Sequence, residues 1–408
     1  MKNVMKLMVS IILGGKEMEV GELVSNGRKI YFQYHPGFIE TGLQISPFKL
    51  PLSSGILSAD TTVFDGLFGV FNDSLPDGWG RLLLDRALIS RGIPLAKISP
   101  LDRLSFVGEN GMGALVYRPA QDSGIDFKKQ MELSAIARET QKILEGKSSD
   151  IIEELLQLGG SSGGARPKIF VGYHPEKDHL IFGKENLPEG YEHWLIKFPA
   201  SNDPADVAQI EHAYHKMALA AGLKMSACRL FKGASGSLFF GTKRFDRNNA
   251  GRLHLHSAAG LMHDDFRLSN MDYGHLMDAA FRLENHVGAY AKVLRLAAFN
   301  VFAHNRDDHS KNFSFLMDAN GKWQMAPAYD LTFSFSPHGF HSSTVAGEGQ
   351  SPGNRHLMEL ADVFGVKNGK EIIGQVREAV GNWAFYAKEC GVGKASMRAV
   401  GEALGGVE

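Results

Sequence analysis

Cysteine is nearly absent. Cys228 and Cys390 are the only two in 408 residues, far apart and outside any Cys-x-x-Cys spacing. That excludes a disulfide scaffold and a cysteine-built structural zinc site. Long hydrophobic runs are missing as well. The N-terminal apolar stretch 8–13 has six residues, against about 20 for a membrane span and a longer apolar core for a signal peptide. The chain reads as a soluble cytoplasmic protein with no membrane role. No charge of one sign dominates either: 44 Lys plus Arg face 45 Asp plus Glu, a net charge of −1. That argues against a chain whose main work is coating nucleic acid or anionic lipid.

What is present suggests two to three domains with a full core, since apolar types make up 44% of the residues. The first 120 residues open with β-branched runs such as Val9, Ile11 and Ile12, punctuated by Gly14-Gly15 and Asn26-Gly27, and read as hairpins. A segment rich in phenylalanine, with Phe64, Phe68, Phe71 and Trp79, follows and reads as core packing. It leads into a helix over 81–91, with Asp77 as N-cap and Gly92 as stop. Residues 120–124 are polar and turn-rich, a boundary. Helices are expected over 131–158 with a break at 146–149, then strands at 169–173, 180–182, 193–198 and 237–245. An amphipathic helix covers 204–219, and from Tyr273 onward the pattern is mostly helical.

Three groups of residues carry chemistry. Gly159-Gly160-Ser161-Ser162-Gly163-Gly164-Ala165-Arg166-Pro167-Lys168 lies between a helix and a strand, where small residues let backbone N–H groups approach an anion. It is not a Walker A loop, because Lys168 leads into a strand instead of a helix. A glycine-rich loop between strands over a nucleotide is the nearer comparison, and a flexible surface loop is the plain alternative. Downstream, His304-Asn305-Arg306-Asp307-Asp308-His309-Ser310-Lys311-Asn312 follows an apolar helix with Val287, Tyr290, Leu294, Ala298 and Val301 at helical spacing. Asp307 and Asn312 have the Asp-x₄-Asn spacing of a kinase catalytic loop, and spacing to Asn312 favours Asp307 over Asp308 as the base. A hairpin then runs through the turn Asp318-Ala319-Asn320-Gly321 and ends near Asp330. Asn312 and Asp330 at its mouth would make a hard-oxygen site for Mg²⁺ with phosphate ligands; a turn held by polar residues is the alternative. Lys197 on a strand and Glu211 on the next helix are the expected phosphate-pairing lysine and its ion-pair partner. His254, His256, His338 and His341 lack the carboxylates or cysteines that would complete a zinc set.

The order of these parts resembles the HipA family, bacterial serine/threonine protein kinases that act as the toxin of a toxin–antitoxin pair, over nearly the whole length. Residues 64–79 are similar to its N-terminal Phe-x-x-Leu-Pro region, and 161–168 to its Ser-x-x-Gly-Ala-x-x-Lys loop. Residues 194–199, 243–247, 307–312 and 328–331 match its ATP lysine, hinge, catalytic loop and metal aspartate. The resemblance implies an α+β, two-lobed protein-kinase-like fold: an N-terminal subdomain (1–122), a strand-rich N-lobe (123–247) and a helical C-lobe (248–408). It further implies Asp307 as base, and Asn312 and Asp330 as Mg²⁺ ligands. Gly163, Gly164, Ala165, Arg166, Lys168, Lys197, His309, Lys311 and Tyr329 would lie around ATP, and Lys243, Arg244 and Phe245 around its adenine. Ser161 falls where the family autophosphorylates. The substrate implied is a translation protein such as an aminoacyl-tRNA synthetase. The partner implied is a HipB-like antitoxin, through which DNA is met only indirectly. A small-molecule phosphotransferase and a non-catalytic, antitoxin-binding pseudokinase are the rival readings.

Overall fold

The computed structural model describes residues 5–59, 63–121, 131–161, 163–183, 185–335 and 339–406. Ser162, His338 and the expected boundary at 122/123 lie outside them. The chain divides into two compact units. One comprises Met1–Asp203, Phe231–His256 and Met317–Gly321; the other comprises Pro204–Leu230, Ser257–Leu316 and Lys322–Glu408.

The first unit is built on two five-stranded sheets. β1 (Lys6–Leu13), β2 (Lys16–Ser25), β3 (Ile30–Tyr34), β4 (Leu57–Ser58) and β5 (Leu115–Arg118) form the first, in the order β4-β3-β2-β1-β5. Alternation puts Leu7, Val9, Ile11 and Leu13 on the buried face. Gly14 and Gly15 both take positive φ, as a two-residue turn between right-twisted strands requires. Asn26 accepts the N–H groups of Arg28 and Lys29 and shapes the next turn. Helices α1 (Pro36–Thr41), α2 (Gly69–Asn72), α3 (Gly78–Ser90) and α4 (Pro100–Val107) complete this half, the last opened by a Ser99/Asp102 capping box. Phe64, Phe68, Phe71 and Trp79 are all buried.

The second sheet holds β6 (Lys168–His174), β7 (His179–Phe182), β8 (Glu192–Lys197), β9 (Cys228–Lys232) and β10 (Leu238–Lys243), in the order β7-β6-β8-β10-β9. Helices α5 (Leu133–Leu144) and α6 (Ile152–Gly159) lie on it, and one apolar cluster joins them to α3: Trp79, Leu83, Ile136, Leu155, Ile169 and Trp194. Trp79 therefore belongs to the core of the second sheet as much as to the N-terminal segment. Short strands β11 (Arg247–Asn248) and β12 (Gly251–Arg252) pair with each other ahead of β13 (His254–Ser257).

The second unit is mostly helical: α7 (Val207–Ala220), α8 (Ala258–Met262), α9 (Tyr273–Glu284), α10 (Gly288–Phe302), α11 (Asn354–Val363), α12 (Gly369–Gly381), α13 (Trp383–Glu389) and α14 (Lys394–Leu404). Ten of the fifteen residues of α10 are buried, which makes it the central helix of the unit. Val287, expected on its apolar face, is instead its N-cap and 68% exposed. Strands β14 (Ser314–Met317) and β15 (Trp323–Met325) are neighbours in a sheet, joined by the turn at Gly321, whose φ is +76°. Among the described residues no helix is long and apolar enough to cross a membrane.

Candidate active site

In the first unit the glycine loop leaves the end of α6 and enters β6. Gly159 is needed for that junction, since a Cβ there would stand 2.3 Å from the Lys168 carbonyl oxygen. The loop is held on both flanks. The Gly164 N–H donates to the Asp77 carboxylate, and the Gly164 carbonyl accepts the Trp79 N–H at 2.9 Å. Gly78 lies between, so close that a Cβ would meet the Gly164 oxygen at 2.4 Å. Asp77 does occupy the N-cap position of α3, yet its side chain makes no cap bond. Its carboxylate serves the loop instead. Ser161 Oγ donates to the Asn110 carbonyl at 2.6 Å, and Arg166 pairs with Asp203 at 2.9 Å.

Lys168 and Lys197 sit directly opposite each other in the antiparallel register of β6 and β8. Cross-strand partners point to one face of a sheet, and like charges there repel. Both are nearly buried, at 5% and 9% exposure. Lys168 Nζ donates to the Gly163 carbonyl at 2.5 Å, and Lys197 Nζ stands 5.7 Å from the centre of the Phe240 ring. Two ammonium groups thus share one face of the sheet, with Lys168 reaching the glycine loop.

The hinge segment is more committed to the protein than the sequence suggests. Lys243 Nζ pairs with Glu192 at 2.7 Å. Arg244 is buried, stacks on Phe170 and pairs with Asp246 at 2.8 Å. Asp246 also pairs with Arg247 at 2.7 Å and accepts the Gly113 N–H at 2.7 Å. Burial pushes the Asp246 carboxyl up, but Arg244 and Arg247 together outweigh it and hold the group far below the usual carboxylate range. Both arginines reach the Gly111 carbonyl. The cluster thus fixes the 111–113 turn beside Asn110. Phe245 is half-buried.

In the second unit Asp307 and Asp308 separate cleanly. The Asp307 side chain is 61% exposed, with His309 Nε2 at 3.7 Å. The Asp308 carboxylate is fully buried and accepts from Tyr273 Oη (2.9 Å), His341 Nδ1 (3.0 Å), Ser342 N (2.8 Å) and Ser343 N (3.3 Å). Tyr273 Oη in turn accepts from Asn300 at 2.7 Å, and Asn305 donates to Asn300 at 2.9 Å. The Asn312 amide N–H donates to the Asp307 carbonyl at 2.6 Å, which turns its oxygen the other way. Tyr329 Oη bridges the Lys311 carbonyl (2.8 Å) and Ser314 Oγ (2.6 Å), tying the 307–312 loop to the hairpin. Asp330 follows it in the left-handed region, φ +57°, which an aspartate tolerates better than most residues. Glu211 is buried in the middle of α7. Lys311 Nζ lies over Phe266, 5.1 Å from the ring centre.

The donor chemistry of Asn312 and Asp330, an amide oxygen and a carboxylate, suits a hard cation such as Mg²⁺ that keeps phosphate and water as its other ligands. Among the described residues no cluster of three or more His, Cys, Asp or Glu side chains could hold a metal by itself. His254 bonds the Ile45 carbonyl, His256 lies between Ser46 and Asp73, and His341 serves Asp308. Sequence reasoning missed the anchors Asn110 and Asp77, and the ring of donors around Asp308.

This α+β architecture is a protein-kinase-like fold. The family described as HipA-like C-terminal domain matches residues 160–384, and the HipA N-terminal domain matches 11–118. The chain belongs to the HipA family of kinases. It is 28% identical over 359 residues to "Putative kinase Y4mE" of Sinorhizobium fredii, covering 80% of this chain and 74% of that protein. Its fold is shared with HipA of Shewanella oneidensis MR-1, solved with HipB and operator DNA: TM-score 0.65 at 16% identity, covering 97% of this chain and 94% of that one.

Proposed function

We propose that the protein is an ATP- and Mg²⁺-dependent serine/threonine protein kinase. In this reading it phosphorylates a translation-related protein such as an aminoacyl-tRNA synthetase, and itself on Ser161. A HipB-like antitoxin is its partner, and DNA is met only through that antitoxin. The observation that carries the reading is the catalytic loop: a solvent-facing Asp307 whose own carbonyl orients Asn312.

Asp307 Oδ accepts the proton of the substrate hydroxyl as that hydroxyl's oxygen bonds to the γ-phosphorus and the bond from the γ-phosphorus to the β–γ bridging oxygen breaks, releasing ADP; general-base help of this kind is worth about 10²–10⁴-fold. Lys168 and Lys197 hold phosphate oxygens together with the N–H groups of Gly163 and Ala165, the Gly164 N–H being taken by Asp77. Asn312 and Asp330 would hold Mg²⁺, which when bound would supply charge neutralisation on phosphate. Since the side chains of Lys243 and Arg244 are taken by carboxylates and the Arg244 N–H by the His193 carbonyl, the adenine is held by the other main-chain groups of 243–245 and by the Phe245 ring. Arg166, His309, Lys311 and Tyr329 shape the rim.

The test is transfer of labelled γ-phosphate to candidate synthetases, with and without Mg²⁺, followed by phosphoamino-acid analysis. Label on serine or threonine, lost in Asp307→Asn and in chelator, is the expected result. Transfer to an amine- or hydroxyl-bearing small molecule instead would move the protein to the rival class. Nucleotide binding without any transfer would leave it a pseudokinase.

A further inference from the structure

Between α8 and α9 the second unit passes through a short 3₁₀ turn, Phe266–Leu268, in a segment that carries none of the sequence motifs. This segment grips the 307–312 loop at three consecutive residues. The Asp264 carboxylate accepts from Ser310 Oγ. It also takes Ser269 Oγ at 2.8 Å and the Asn270 N–H at 3.1 Å, which folds the segment on itself. The Phe266 ring lies 5.4 Å from the His309 ring, centre to centre. Lys311 Nζ stands 5.1 Å from the centre of the same ring, and Arg267 shares it at 4.8 Å.

Phe266 is only half-buried, so filling core space is not its main work. A cation over an aromatic face is attracted by the ring's quadrupole, which weights an equilibrium about three- to thirtyfold. An aliphatic side chain of similar size fills the space without that attraction. The effect reaches Asp307, whose side chain is 61% exposed and whose Oδ1 lies 3.7 Å from His309 Nε2. The two ends of the loop are tied to each other by the Asn312 amide and the Asp307 carbonyl. Its middle is held from outside, by Asp264 and Phe266. A base misplaced by about 1 Å can cost about 10²-fold in rate.

We propose that Phe266 is a positioning residue for phosphoryl transfer, holding His309 and Lys311 so that the Asp307 carboxylate stays at the substrate hydroxyl. The role rests on the kinase reading above.

The test compares Phe266→Leu, Phe266→Tyr and Lys311→Met in the full chain. Labelled phosphate from saturating Mg·ATP is followed into the chain itself and into dephosphorylated casein, beside thermal melts. Phe266→Leu should slow transfer about three- to thirtyfold with Tm nearly unchanged. Phe266→Tyr keeps the ring and should retain most of the rate. Part of the effect of Phe266→Leu is already present in Lys311→Met, so the double variant should lose less than the product of the two single losses. Phe266→Leu at the wild-type rate, Phe266→Tyr as slow as Phe266→Leu, or losses that simply multiply each overturn the role. So does a fall in Tm that tracks the rate across the two Phe266 variants, since a packing residue behaves that way. Wild type that labels neither protein overturns the kinase reading and this role with it. Wild type that labels them, with Phe266→Leu unimpaired, removes the role and leaves the reading standing.

Discussion

Asp307 and Asp308 are joined by one peptide bond, yet the first side chain is 61% exposed and the second fully buried under four donors. The same residue type is thus assigned two tasks. Asp307→Asn should cut phosphoryl transfer by about 10²–10⁴-fold and leave Tm unchanged. Asp308→Ala strands Tyr273, Ser342 and Ser343 without an acceptor and should cost on the order of 3 kcal/mol of stability. Activity assays beside thermal melts separate them. A stable Asp308→Ala variant, inactive while Asp307→Asn works, would reverse the assignment.

Lys168 faces Lys197 across β6 and β8. An anion that binds beside both ammonium groups gains a charged contact from each. Triphosphate alone should therefore raise Tm, more at low than at high salt. In Lys168→Met the affinity for nucleotide should fall about tenfold or more, the worth of one charged hydrogen bond. Triphosphate that stabilises both forms equally would place the anion elsewhere.

Tyr329→Phe removes the hydroxyl shared by the Lys311 carbonyl and Ser314. The loss in stability should be about 1 kcal/mol. The effect on transfer should be larger than on ATP affinity, because the link runs to the catalytic loop and not to the glycine loop. Equal losses in kcat and in ATP binding would contradict that.

His254 is buried, and its pKa is pushed down to about 4, first by burial and then by His256, against the upward pull of the Ile45 carbonyl. An unfolded histidine titrates near about 6.5. Between the two values the unfolded chain binds the proton and the folded chain does not. This stability is fully present above about pH 6.5 and is lost as pH falls toward 4. At about 1.36 kcal/mol per pKa unit, the loss is on the order of 3 kcal/mol. His254→Gln keeps a donor for Ile45 and should flatten that stretch of the Tm–pH curve. His304, lowered in the same way, should leave a residual slope.

How much was legible follows from distance along the chain. The Gly14-Gly15 and Gly321 hairpins, the helix before the catalytic loop, and the strand entered by Lys168 are written in adjacent residues. Asp307 and Asp308 look alike in sequence because what distinguishes them is Tyr273, 35 residues before Asp308, and His341, 33 after it. Lys243 reads as a free hinge cation until Glu192, 51 residues away, is found beside it. Strand β9 carries too weak an alternation to be read, and only the β10 edge defines it. Asp77 reads as a helix cap because its true partner, Gly164, has no local signature.

That partner is 87 residues downstream. During synthesis at about 5–20 residues per second, the 77–79 turn waits roughly 4–17 s for Gly164 to be made. The N-terminal hairpins, formed from neighbouring residues, have ample time to close in that interval. When the glycine loop emerges it meets a surface that presents a carboxylate and an amide, and the β6 and β8 residues that bury Trp79 follow it. The N-terminal third is then a template on which the loop is moulded, and a kinase half translated without it would have to find that shape unaided.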